Sequence, residues 1–575
     1  MSHLTDSPNN NYFDIIIIGG GLAGLTLALQ LKKRLADLSI AIFERSAFPA
    51  PLAAHKVGEA TVELSSYYLG EIIGIREHLE MEHLPKLGLR YFFNTKPEPT
   101  QHLEDCLEFG TKSFPPTPSY QLDRGILENF LYEKCLEEGI TVHAEHKVND
   151  VILAEHPDSH QVSVIDIASE SERKFTAQWL VDASSRNAVI KRKQELAQPS
   201  NHAASSAWFR VEGKIDVDSW ASSTKWQEHH KVDNARWFST NHLMGEGYWM
   251  WLIPLSSGST SIGIVADNRY HSLKSYNTLD KAMAWITEHQ PLCAEKIRPH
   301  LDRVQDFKAV KNFTLNSEQV FSVNRWFLTG EAGVFLDPFY SPGSDYIAIS
   351  NTFITNIIQA DTDGMDVRQM TRKLDRLYLK LFESTLCLYE DKYALFGNAP
   401  VMVIKYLWDT TLYWGLNCLL FIQDKFDDYK TLQRYYVNAA ELSALNEKMQ
   451  KLLLKWNQYP QRPSVPGYVN ISCGKFDFFI DMNRILTQPL SQQAFEDEFL
   501  VNTNKIRILY SDIVQHIVNE TPELASEVEV LTVADGKHSP IADIMKLVHG
   551  DLPMDWQYDC EMAPMEKEKM EGAMA

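Results

Sequence analysis

Four consecutive isoleucines, Ile15 to Ile18, run directly into Gly19-Gly20-Gly21-Leu22-Ala23-Gly24. Residues of these types at this spacing can bind a pyrophosphate. The isoleucines read as a fully buried parallel strand. Gly19 permits the tight turn, Gly21 lets backbone approach the phosphates, and Gly24 lets the following helix pack closely. Apolar residues keep helical spacing from Leu22 to Leu35, so the free N–H groups at Leu22 and Ala23 open a helix N-terminus. A second strand, Ser39 to Glu44, ends in an acid about twenty residues after the last glycine, where an acid can hold a ribose hydroxyl. Arg45 follows it. The pattern reads as dinucleotide binding; its bland counterpart is a glycine-rich turn with no ligand.

Five further stretches carry candidate chemistry. Lys86 opens the alternating run Leu84 to Phe93, which reads as a strand starting a second sheet, and a lysine there is either a solvated charge or a catalytic group. Arg124 stands at the start of a helix expected over Gly125 to Glu138. Asp182 ends the apolar strand Trp179 to Val181, where it serves a ligand or merely caps a turn. In Tyr248-Trp249-Met250-Trp251-Leu252-Ile253-Pro254 the two tryptophans share one face, as core or as a wall between compartments. A second glycine-bearing turn runs from Gly330-Glu331 through Phe335, Pro338, Tyr340, Ser341 and Gly343 into a helix expected over Tyr346 to Ala360. That helix start either receives an anion or simply follows a loop.

Composition bounds the partners. The chain of 575 residues is 44% hydrophobic and 11% aromatic, which describes a globular chain with a large core. A formal charge of −21 argues against nucleic acid or an anionic membrane. Seven scattered cysteines without a CxxC pair suit free thiols in the cytoplasm and no metal site. The apolar stretch Val401 to Ile422 is interrupted by Lys405 and Asp409, which makes a buried or surface-docking helix a better reading than a membrane span.

Taken together, the Gly19–Gly24 fingerprint, Arg124, the Asp182 turn and the Gly330–Gly343 segment resemble the FAD-dependent aromatic monooxygenases. Two motifs resemble the flavin-dependent halogenases within them: Trp249-x-Trp251-x-Ile253-Pro254, and Phe335-x-x-Pro338-x-x-Ser341-x-Gly343. Lys86 falls where those enzymes keep a catalytic lysine. The resemblance covers about residues 10–390. It implies a fold of the α/β class, a Rossmann-type FAD-binding sheet with an inserted substrate-side sheet (about 84–120 and 200–320). A mostly helical region over 391–560 and a disordered tail over 561–575 would follow.

The resemblance also implies a reaction. Reduced FAD from a separate flavin reductase, with dioxygen, oxidises chloride or bromide to hypohalous acid, which Lys86 presents to an electron-rich aromatic ring. FAD would be held by Gly19, Gly21, Leu22, Ala23, Gly24, Glu44, Arg45, Arg124, Asp182, Glu331, Ser341 and Gly343. Trp249, Trp251, Ile253, Pro254, Phe335, Pro338 and Tyr340 would line the passage to the substrate. Tyr340 stands where tryptophan halogenases carry a glutamate, which shifts the expected substrate to phenolic or pyrrolic rings, free or tethered to a carrier protein. The second activity in view is direct hydroxylation of the ring; a third is a flavoprotein reductase without oxygen chemistry.

Overall fold

The computed structural model describes residues 11–53, 55–227, 234–427, 429–471, 477–528 and 540–553; the tail expected over 561–575 lies outside them. Two sheets carry the molecule. The first has seven strands in the order Thr141–His143, Ile40–Phe43, Tyr12–Ile18, Glu172–Asp182, His160–Asp166 and His146–Ile152, with Trp326–Leu328 paired to the end of Glu172–Asp182. Tyr12–Ile18 is parallel to both its neighbours, pairing Ile18 with Phe43 and with Asp182. Because all four isoleucines are buried on both faces, helices must cover the sheet, and Leu22–Arg34, Arg124–Glu137 and Gly343–Thr362 do so. The ends of three parallel strands thus converge: Ile18, Asp182 and Leu328 lie side by side in register.

The second sheet has eight strands, in the order Val304–Val310, Ala204–Glu212, Ser259–Asp267, Tyr248–Pro254, Ser239–Gly245, Gly88–Asn94, Cys106–Gly110 and Gly467–Asn470. Its last strand comes from the C-terminal region, parallel to Cys106–Gly110. The helices Ala399–Leu412, Leu419–Ile422, Tyr429–Trp456 and Gln492–Glu520 share one hydrophobic core with the FAD-type sheet. The stretch 401–422 is buried within that core. Its Lys405 and Asp409, one turn apart, pair at 2.7 Å, so the interrupting charges satisfy each other inside the protein. No helix of the described residues is long and apolar enough to cross a membrane.

Two elements are broken where chemistry sits. The helical stretch before Lys86 is Glu63–Tyr67, a π-helical turn Tyr68–Ile73, and Arg76–Glu82, divided by Gly74 at φ 81°. The strand expected from Leu84 to Phe93 is two strands: Leu84–Pro85 pairs with Tyr120–Gln121, and Gly88–Asn94 enters the large sheet. Pro85 has no N–H to extend the first ladder, and Gly88 at φ 135° turns the chain into the second. Lys86 occupies the break.

The glycine turn is sterically closed at two points. A Cβ on Gly24 would lie 2.0 Å from the Gly19 carbonyl oxygen, and one on Gly19, at φ 108°, would lie 2.5 Å from the Ala183 oxygen. Gly24→Ala is therefore expected to destabilise the protein by about 1–3 kcal/mol in urea unfolding. It should also weaken FAD binding in a flavin-fluorescence titration.

Candidate active site

Where the parallel strands converge, the groups expected to hold FAD gather round the start of helix Leu22–Arg34. That helix has no side-chain cap and no acid in its first turn, so its leading N–H groups and positive dipole end are free for phosphate. The space beyond Gly21 is open to 4 Å, room that a close-lying ligand would use. The Glu44 carboxylate accepts from the Gly20 N–H at 2.8 Å and the Ser46 N–H at 2.8 Å, which fixes it at the rim. Arg45 is exposed beside it. Gly330, at φ 59°, brings its turn against Ala23, and Glu331 accepts from the Ser185 hydroxyl.

Arg124 approaches from the other side. Its Nη1 donates to Val57 O at 2.8 Å and its Nη2 to Glu128 Oε1 at 2.5 Å, while its Nε is buried without a partner. An orphaned guanidinium N–H, an uncapped helix start and a cleared glycine shoulder all suit a dinucleotide diphosphate, so the residues fit FAD. Asp182 differs in kind. Its Oδ1 accepts from Ser184 N–H (3.0 Å) and the Ser184 hydroxyl (2.6 Å), and its Oδ2 from Ile190 N–H (2.8 Å). These bonds shape the turn beside the cradle, and Oδ2 keeps an acceptor position in hand.

The second signature links this cradle to a cavity. Asp337 and Pro338 begin a 3-10 turn, Ser341 takes a left-handed conformation at φ 58°, and Gly343 starts the long helix, with Phe335 its nearest neighbour. The helix begins at Gly343, three residues before the expected Tyr346, so Asp345 falls in its first turn. Trp249 and Trp251 lie on one face, ring centroids 5.7 Å apart, and Trp249 packs edge-on to Phe339 at 5.2 Å. The Trp249 indole N–H donates to the Tyr393 hydroxyl (3.1 Å), which donates to Asp337 (2.6 Å), and His202 Nε2 lies 2.7 Å from the same carboxylate. Ile253 and Pro254 end this strand, paired with Ser261 and Thr260. The tryptophans are a buried wall behind the signature. They touch neither the cradle nor the cavity surface directly.

A cavity of about 1080 Å³ is lined by Lys86, Glu63, Tyr340, Pro342, Asp345, Tyr413 and the helical C-terminal region. Lys86 is 1% exposed, and its Nζ donates to Thr61 O at 2.8 Å. Its backbone N–H bonds Ser119 O and that of Leu87 bonds Phe238 O, which holds the strand break open. Burial pushes the lysine down to about 8, against the opposing pull of Glu63 and Asp345. Burial raises both acids, Asp345 to about 7. Asp345 accepts from the Tyr413 hydroxyl (2.7 Å) and Ser65 N–H (3.0 Å), and Glu63 accepts from Asn483 Nδ2 (3.0 Å). The Tyr340 hydroxyl donates to Asp409 at 2.9 Å, the carboxylate that Lys405 also holds.

The FAD binding domain family matches residues 12–333, more than half of the chain. The chain belongs to that family. Within it the relatives are halogenases. Flavin-dependent halogenase chlA of Dictyostelium discoideum is 28% identical over 436 residues, 71% of this chain and 70% of that one. The 1H-pyrrole-2-carbonyl peptidyl-carrier protein brominase of Pseudoalteromonas luteoviolacea is 25% identical over 360 residues, 62% of this chain and 79% of the relative. The crystal structure of halogenase PltM in complex with phloroglucinol and FAD superposes with a TM-score of 0.59 at 17% identity, covering 88% of this chain and 96% of that one. This FAD binding domain protein is an FAD-dependent oxidoreductase of the flavin-dependent halogenase type.

Glu63, Asp345, Tyr413 and Asn483 were not among the residues the sequence singled out. Glu63 and Asp345 are ordinary acids in helix-forming stretches, and Tyr413 and Asn483 lie in a region without a readable motif. A signal was present for one of them: Asp345 stands two residues past Gly343, on the helix start already marked as a ligand-facing end.

Arg124→Gln removes the guanidinium whose Nε is buried without a partner, the group we assign to FAD. FAD affinity is expected to fall about ten- to hundredfold, read by quenching of flavin fluorescence, with the far-ultraviolet circular dichroism unchanged.

Proposed function

We propose that this protein uses reduced FAD, dioxygen and chloride or bromide to halogenate an electron-rich phenolic or pyrrolic ring at Lys86. The observation that carries the reading is a buried lysine on the wall of a large cavity that also takes in Tyr340, Pro342 and Asp345 of the second signature and the helix it leads into. Reduced flavin, when bound, would supply the two electrons that activate dioxygen, and the activated oxygen would oxidise halide to hypohalous acid. A separate flavin reductase provides the reduced flavin, since the chain carries no second nucleotide fingerprint. We assign 391–560 to the substrate side of the molecule, as its side chains line so much of the cavity.

The chain's own residues do the rest. The Lys86 ammonium donates to the oxygen of hypohalous acid and so polarises the halogen toward the ring; a compact ammonium does this without dispersing charge. As the carbon–halogen bond forms, the ring carbon gives up its proton and the hypohalous oxygen leaves as water. Asp345, poised near neutrality, and Glu63 stand where that proton is released. Trp249 packs on Phe339, which backs Tyr340 of the cavity lining, and we assign this stack the task of keeping the ring away from the flavin. Tyr340 is held by Asp409, so the place of the tryptophan-halogenase glutamate carries a neutral phenol instead.

Lys86→Ala is expected to leave FAD binding and flavin oxidation intact while lowering halogenated product by about a hundredfold or more, read by mass spectrometry of the ring product. Product formation at the wild-type rate would remove Lys86 from the mechanism.

The pH profile follows from the buried charges. The ammonium is present below about 8 and lost above it, so halogenation falls as pH rises through about 8 while flavin oxidation continues. Asp345 raises the lysine, so Asp345→Asn should move that falling limb down by about one pH unit. A limb that rises above pH 8 would instead make the neutral amine the reacting form.

A further inference from the structure

The cavity at Lys86 exceeds what one ring occupies. About 1080 Å³ accommodates a drug-sized ligand. Its lining changes character with the elements that supply it. Near Lys86 it is polar, with Glu63, Asp345 and Tyr413. Helices Arg368–Leu386, Leu419–Ile422 and Tyr429–Trp456 contribute Leu377, Leu381, Leu420, Leu432 and Leu442.

Ser384, Thr385, Ser443 and Asn446 on that helical wall already have hydrogen-bond partners, and Lys380 and Asn417 also line it. The Ser384 and Ser443 hydroxyls meet at 3.4 Å, Thr385 accepts from the Tyr346 hydroxyl at 2.8 Å, and Asn446 accepts from the Trp408 indole at 2.9 Å. Between these groups the five leucines offer a ligand a continuous aliphatic surface. A hydrocarbon chain matches it well.

Building on the function proposed above, we propose that the substrate is an amphiphile: a hydroxylated aromatic ring bearing an unbranched aliphatic chain, with the ring at Lys86 and the chain along the leucine wall. The ring determines the chemistry. The chain determines affinity and orientation, because the aliphatic wall lies on elements other than those around Lys86.

The test separates binding from turnover. FAD-loaded protein, oxidised so that no chemistry occurs, is titrated calorimetrically with 5-propyl-, 5-pentyl- and 5-heptylresorcinol below their aggregation limits. Each buried methylene should tighten binding about threefold, so the heptyl compound should bind on the order of eightyfold more tightly than the propyl one. Leu381→Trp, which fills the wall, should flatten that dependence and leave propylresorcinol binding unchanged. A dissociation constant independent of chain length, or no measurable binding of any member, overturns the proposal.

The same compounds are then offered to the reduced enzyme with bromide and dioxygen. Chain-dependent binding without brominated product would sink the halogenase reading and leave the chain site standing. Bromination without chain dependence would do the reverse.

Discussion

A lysine ammonium removed from water must be paid for by its surroundings, and much of this structure is arranged around that cost. Lys86 receives one carbonyl, from Thr61, and the field of two carboxylates from separate elements. Each acid in turn is restrained: Asp345 by Tyr413 and Ser65, Glu63 by Asn483. The charges do not fully offset one another, because burial lifts both acids and lowers the base. That imbalance keeps the groups within reach of neutrality, where a proton can move. A better-paired lysine would be more stable and chemically inert.

The same economy explains why the second signature is so densely braced. Asp337 sits at the head of the turn and is 0% exposed. Three groups converge on it: His202, Tyr393 and, through Tyr393, the Trp249 indole. Tyr393 belongs to a short 3-10 turn that follows helix Arg368–Leu386, and Trp249 to the centre of the large sheet. One carboxylate therefore ties the helical region, the sheet and the loop between cradle and cavity. The strand carrying the tryptophans is closed behind by Gly263, where a Cβ would come within 2.2 Å of the Trp251 ring. The tryptophan motif is best understood as a fixed partition whose hydrogen bonds set the loop in place.

Much of this was legible from residues. The strand, glycine turn, helix and terminal acid around Gly19 to Glu44 are local features, and each appears within a few residues of its expected bounds. Lys86 was legible only through the spacing of motifs around it, because a lysine beside a strand carries no sign of its burial. The strand break that buries it depends on Ser119 and Phe238, distant partners that no local pattern displays. Asp182 was legible as the end of a strand at a turn, while the bonds that orient its carboxylate, from Ser184 and Ile190, were not. Glu63 and Asp345 become chemically distinctive only once two helices place them on one cavity.

The C-terminal region shows why length and composition say little about role. Its aromatic and leucine stripes are ordinary helix-core patterns, and by periodicity alone they describe a bundle. Yet Gly467–Asn470 completes the large sheet, and Asn483 holds Glu63 and the Thr117 N–H together. Lys405 and Asp409 would read as interruptions of an apolar helix. In place, Asp409 accepts from Tyr340 and is itself held by Lys405 and by Gln450 at 2.8 Å. A buried ion pair gains little stability over apolar packing. Here it fixes the Tyr340 phenol on the cavity lining, and it draws the helical region into the site rather than leaving it as a separate domain.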